Sequence, residues 1–184
     1  MRLFVAIDLP DDILDALQRL QGRLRPLARI SWTRRETWHL TTKFIGEWPE
    51  GRLAEIEAAL RGLAASEPIP LAVRGLGFFP NPRSPRVFWA GIEAPPSLGQ
   101  LARETEQALA ELGIERERRP YSPHLTLARI REPVPLDGLH AAIAKLPSTE
   151  FGAFTADRFC LYRSTLQPSG AVYTRLAEFP FPRP

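Results

Sequence analysis

The sequence predicts an α+β fold: two pseudo-symmetric lobes, with antiparallel sheets lining a central cleft and helices outside. Three observations carry this reading. The same order of elements runs twice along the chain, strand-like runs are grouped with helices without strict βαβ alternation, and no glycine-serine or low-complexity linker separates the halves. The 184 residues are therefore read as a single domain, 1–184, with an internal repeat of approximately 1–80 and 86–184.

The first half opens with Arg2-Leu3-Phe4-Val5-Ala6-Ile7-Asp8, an apolar run with the length and flanks of a buried strand. Pro10 and Asp11 open a helix with Ile13, Leu14, Leu17, Leu20 and Leu24 at helical spacing, and Pro26 ends it. A short strand at Ile30 to Thr33 and a strand beginning His39-Leu40-Thr41 follow. A second helix carries Leu53, Ile56, Leu60 and Leu63 on one face and leads into an extended segment from Ile69 to Phe79. Asn81-Pro82-Arg83-Ser84-Pro85 reads as the loop that crosses between lobes.

The second half repeats the order. Arg86-Val87-Phe88-Trp89-Ala90-Gly91-Ile92-Glu93 is a second buried strand, and Pro95, Pro96 and Ser97 open a helix closed by Gly113. A strand beginning His124-Leu125-Thr126, a short helix from about Leu136 to Lys145, strand-like runs at 151–154 and 158–162, and a hairpin turning at Gln167–Gly170 complete it. Arg86 lies 84 residues after Arg2 and His124 lies 85 after His39, an agreement that duplication explains and accident does not.

Composition excludes several classes. A single cysteine, Cys160, rules out an internal disulfide framework and any multi-cysteine zinc site. Every long apolar stretch is broken by charge or proline, which leaves no spanning helix, and the opening residues lack the order of a secretory signal. The expectation is a cytoplasmic monomer with no membrane association and no obligate protein partner. Of 24 cationic side chains 22 are Arg, with Lys43 and Lys145 the exceptions. That bias reads first as the mark of a GC-rich genome, and it is compatible with a polyanionic ligand without establishing one.

Two of the three histidines begin the tripeptide His-Leu-Thr, at matching places in the repeat. Chance would give that coincidence with a probability on the order of one in several thousand. In a strand, His39 and Thr41 share a face about 6.6 Å apart while Leu40 points the other way, and His124, Thr126 and Leu125 repeat this. If the lobes bring these faces together, two imidazoles and two hydroxyls converge on one small volume. That set suits phosphoester cleavage: one imidazole activates a nucleophile, the other protonates the leaving oxygen, and the hydroxyls donate to the non-bridging oxygens. No His-x-His or His-x3-His pair exists and no carboxylate flanks either tripeptide closely, which argues against a metal site, and nothing calls for a cofactor. His140 lacks the pattern and reads as structural, and Cys160 reads as a buried thiol.

The contexts His39-Leu40-Thr41-Thr42-Lys43-Phe44-Ile45-Gly46 and Arg119-Pro120-Tyr121-Ser122-Pro123-His124-Leu125-Thr126-Leu127-Ala128-Arg129 resemble the 2H phosphoesterase superfamily. Within it the chain is similar to the RNA 2',3'-cyclic phosphodiesterase branch, also called the 2'-5' RNA ligase family. The opening Arg2–Ile7 run and the Phe79-Pro80 and Arg86–Gly91 segments match that branch as well. The resemblance implies a bilobal fold and metal-independent hydrolysis of a ribose 2',3'-cyclic phosphate at an RNA end to a 2'-phosphate. ATP-independent 2'-5' RNA ligation by the same site is implied as a second activity. Carried over by position, His39 is the acid, His124 the base, Thr41 and Thr126 hold the phosphate, and Arg129 contacts it.

Two cations remain open on the sequence alone. Strict alternation from His124 turns Arg129 to the opposite face, so that it reaches the cleft only where the strand bends or ends. Alternation from His39 puts Lys43 on the cleft face, as a phosphate partner or a solvated edge residue. Trp32, Arg34, Arg35 and Trp38 before the first motif, and Arg116, Arg118, Arg119 and Tyr121 before the second, are candidates for RNA contact or for plain packing and ion pairing. Two other functions stay open: a non-catalytic nucleotide- or RNA-binding module, and a cyclic phosphodiesterase acting on small nucleotides.

Overall fold

The computed structural model describes residues 1–63 and 67–183. Along the chain its elements are β1 (Arg2–Ile7), α1 (Asp11–Leu24), β2 (Ser31–Trp32), β3 (Leu40–Glu47), α2 (Leu53–Arg61), β4 (Ile69–Phe79), β5 (Val87–Glu93), α3 (Pro96–Ala110), β6 (His124–Arg129), α4 (Asp137–Ala144), β7 (Glu150–Ala156), β8 (Arg158–Gln167) and β9 (Gly170–Pro180). They form two antiparallel sheets, one ordered β3-β1-β8-β9 and the other β2-β6-β5-β4-β7. This is the α+β, two-lobed architecture that the grouping of elements predicts.

Amphipathic periodicity accounts for the helices. Ile13, Leu17, Leu20 and Leu24 of α1 are buried, with Asp11 and Asp12 in its first turn and Arg23 in its last, where each charge complements the helix dipole. The helix faces join Leu3, Val5 and Ile7 of β1 and Phe88, Ala90 and Ile92 of β5 in one core shared by both sheets. The other face of β1 is also covered: Phe4 and Ala6 form a smaller cluster with Cys160 and Tyr162 of β8, against which Tyr173 packs. Burial on both faces is why β1 reads as a continuous apolar run rather than an alternating one.

The sheets do not coincide with the halves of the repeat. β4 belongs to the first half by sequence but pairs with β5, and β8 and β9 belong to the second half but lie beside β1. Each sheet thus contains the run motif strand, opening strand, then a strand from the other half, and the second sheet adds β2 of the first half outside its motif strand. The segment 81–85, expected to cross between lobes, is instead a hairpin loop inside the second sheet: Phe79 and Val87 are register partners, and Arg86 N–H donates to the Phe79 carbonyl at 2.6 Å. So short a link keeps successive antiparallel strands adjacent. The exchange locks the lobes together, because each sheet needs both halves of the chain.

Candidate active site

Both motif strands carry a β-bulge at the same place. In the pairing of β1 with β3, Val5 faces Lys43 and Ala6 faces Thr41, leaving Thr42 as the extra residue. In the pairing of β5 with β6, Phe88 faces Ala128 and Trp89 faces Thr126, leaving Leu127 as the extra residue. Burial then runs half-buried, buried, half-buried, buried, buried, exposed from His39 to Phe44, and identically from His124 to Arg129. A bulge inserts one residue and reverses the alternation beyond it.

That device settles the side of the sheet on which each cation lies. Past Leu127, Arg129 returns to the open face that carries His124 and Thr126. Past Thr42, Lys43 turns inward, which corrects the expectation from strict alternation. Its Nζ lies 2.9 Å from the Glu106 carboxylate of α3 and 2.8 Å from the Glu115 carbonyl, with the side chain 3% exposed. Lys43 ties β3 to α3 and has no place in the cleft. The position equivalent to Arg129 is Phe44, an apolar ring left 67% exposed on the open face of the first sheet. Sequence reading missed it, although its signal was present: both residues stand five places after their histidine.

The strands that carry the motifs, β3 and β6, touch along a seam between the two sheets. Each motif threonine has its backbone held by a hydroxyl from elsewhere in the chain. Tyr121 donates to the Thr41 carbonyl at 3.1 Å, and the Thr33 hydroxyl sits 2.8 Å from the Thr126 carbonyl and 2.9 Å from that of Leu127. Trp38 Nε1 donates to the same Thr33 oxygen at 2.8 Å. Burial raises the Tyr121 phenol above its ordinary range, so it acts here as a neutral donor. Tyr121 thereby ties the approach to the second motif directly to the first.

His39 precedes β3 and rests on an aromatic bed, its ring 4.7 Å from that of Tyr162 and 5.7 Å from that of Tyr173. Its Nδ1 is buried with no hydrogen-bond partner among the described residues, and its Nε2 stands 3.6 Å from Asp8 Oδ1. Burial lowers the His39 pKa below the ordinary imidazole value. The Asp8 charge and the Thr37 backbone oppose that fall, and the Arg175 charge adds to it. His124 opens β6, its Nδ1 2.7 Å from the Ser122 carbonyl and its ring edge-on to Phe79 at 5.0 Å. An Nδ1–H donated to that carbonyl leaves Nε2 as the lone-pair nitrogen, the form a general base requires. Trp89, the register partner of Thr126, packs against the same Phe79. Its ring lies so close over Gly77 that a Cβ there would fall 2.2 Å from the indole.

Most of the other sequence candidates make contacts within the fold, and Arg119 is exposed. Trp38 is buried, Trp32 donates to the Ala28 carbonyl and packs edge-on to Phe88, and Arg35 is engaged by Asp11, Asp15 and Gln18 of α1. Arg34 donates to the Ala171 carbonyl, Arg116 to Gln107, and Arg118 pairs with Glu115. His140 packs on Phe78, on the helix side of the second sheet. Burial pushes the Cys160 thiol up to about 12, which keeps it a neutral core group and no nucleophile. Among the described residues no group of three or more His, Cys, Asp or Glu side chains is arranged to hold a metal ion, and no helix is long and apolar enough to cross a membrane.

Comparison with known proteins agrees with this geometry. The family model for LigT-like phosphoesterases matches residues 7–89 and 92–173, with one histidine motif in each segment. The chain belongs to this family. It is 36% identical to the RNA 2',3'-cyclic phosphodiesterase of Methanothermobacter thermautotrophicus, across 97% of this chain and 98% of that one. It is 37% identical to the Thermus thermophilus protein of the same name, across 97% and 89%. Among solved structures it resembles a Thermus thermophilus crystal structure at a TM-score of 0.83 and 33% identity, covering 98% of both chains. Escherichia coli LigT complexed with 3'-AMP is similar at a TM-score of 0.80 and 28% identity, over 98% of this chain and 97% of that one.

Proposed function

We propose that the protein hydrolyses the 2',3'-cyclic phosphate at an RNA end to a 2'-phosphate by two-histidine acid–base catalysis. The observation that carries the reading is the duplicated strand device: each sheet presents an imidazole, a hydroxyl and then, past a bulge, one further side chain on its open face. The names of the relatives support the same reaction. His124 takes a proton from water as its oxygen attacks phosphorus, the bond from phosphorus to the 3' oxygen breaks, and His39 gives its proton to that oxygen. Thr41 and Thr126 donate to the non-bridging oxygens, and Arg129 adds a planar cation to the same charge. Phe44, at the place equivalent to Arg129, offers a flat apolar face to a nucleobase. A ribose 5'-hydroxyl in place of water turns the same displacement into 2'-5' ligation without ATP.

The test is product analysis on an oligonucleotide ending in a 2',3'-cyclic phosphate, run with and without EDTA beside the mononucleotide. The expected result is a 2'-phosphate product, undiminished by the chelator and formed faster from the oligonucleotide. Tight binding with no product after long incubation would leave a binding module, and preference for the mononucleotide would leave an esterase of small nucleotides.

A further inference from the structure

The pseudo-twofold relation between the motifs fails directly beside the histidines. β1 and β3 pair Ala6 with Thr41 and Ile7 with Leu40, so the next step brings Asp8 opposite His39. β5 and β6 pair Trp89 with Thr126 and Ala90 with Leu125, and the next step brings Gly91 opposite His124. A carboxylate stands where its counterpart has no side chain, and none fits there: a Cβ on Gly91 would lie 2.5 Å from the Arg74 carbonyl oxygen. We propose that Asp8 is a positioning residue that divides the labour between the two histidines, by favouring a proton on His39 at its Nε2 against the burial that disfavours it, where His124 has no such carboxylate. The inference rests on the two-histidine reading above and supplies what makes two matching imidazoles unequal.

The surroundings of Asp8 fit that role. Tyr162 donates to Oδ1, and Arg175 donates to Oδ2 at 2.6 Å, so both oxygens are held from β8 and β9. Arg175 is held in turn by Glu178, which also takes Arg158 at 2.9 Å. At 3.6 Å from Nε2, Asp8 is too far for a strong hydrogen bond and close enough for strong charge attraction. It leaves the working nitrogen free to donate to a leaving oxygen. The ionisable groups facing His39 are Asp8 from the end of β1, Tyr162 from β8, and Tyr173 and Arg175 from β9. Of these Asp8 alone favours the imidazolium, and burial works against it. The nearest polar partner of His124 is a neutral carbonyl.

The experiment is a proton NMR titration of the histidine Cε1–H signals in the free protein, with the pH profile of kcat/KM measured on the same variants. Asp8→Asn is expected to move the His39 midpoint down by about one pH unit, with the alkaline limb of the profile following and the His124 midpoint unchanged. Arg175→Gln removes a facing cation at an exposed position and is expected to move the His39 midpoint the other way. A His39 midpoint that stays in place in both variants, or moves in the same direction in both, overturns the role of Asp8. The titration needs no turnover, so it is decided separately from the function. Failure of the wild type to open a cyclic phosphate would overturn the preceding reading instead.

Discussion

His39→Ala and His124→Ala each reduce kcat for cyclic phosphate opening by about 10²–10⁴-fold, the range expected from losing one positioned acid or base. The double variant falls little further than the worse single one, because acid and base act in one displacement and their effects do not add. Circular dichroism should show both variants folded. His39 is half-buried on Tyr162 and His124 lies at a strand end beside Phe79, so neither fills the main core. The control that separates chemistry from binding is affinity for the nucleoside 2'-phosphate product. It should change far less than kcat, since threonine and arginine contacts remain. Full turnover by either alanine variant contradicts the two-histidine mechanism.

Lys43→Met produces the opposite pattern. The ammonium is buried between β3 and α3, and its loss leaves Glu106, with a side chain only 20% exposed, facing the Glu115 carbonyl without a cation. Removing one partner of such a pair costs about 3 kcal/mol of stability, the low end of the range for buried pairs because Glu106 keeps some contact with water. Chemical denaturation should register that loss while kcat and KM of the folded fraction stay near wild type. Unchanged stability with a raised KM would return Lys43 to the cleft and contradict the bulge at Thr42.

Much of this was legible in the sequence, and the failures share one cause. Duplication shows in the spacing of His39 and His124, and the helices show in the 3.6-residue spacing of residues such as Ile13, Leu17, Leu20 and Leu24. Residues up to two places after each histidine were assigned to the correct face, because a strand alternates until something interrupts it. Thr42 and Leu127 are the interruptions, and nothing in Thr-Thr-Lys or Thr-Leu-Ala announces a bulge. Strict alternation therefore puts Lys43 on the wrong face, gives no reason to single out Phe44, and turns Arg129 away from His124 unless the strand bends. Strand exchange was invisible for a different reason: period-two patterns say which side of a strand is buried but not which strand lies beside it. Asp8 was hidden because its significance depends on register with His39, 31 residues further along the chain.

The most direct measurement is a crystal structure with a nucleoside 2'-phosphate bound. A single phosphate should lie within hydrogen-bond reach of Nε2 of both His39 and His124, with the Thr41 and Thr126 hydroxyls and Arg129 on its non-bridging oxygens. A phosphate held by one cassette while the other faces empty solvent would contradict the account.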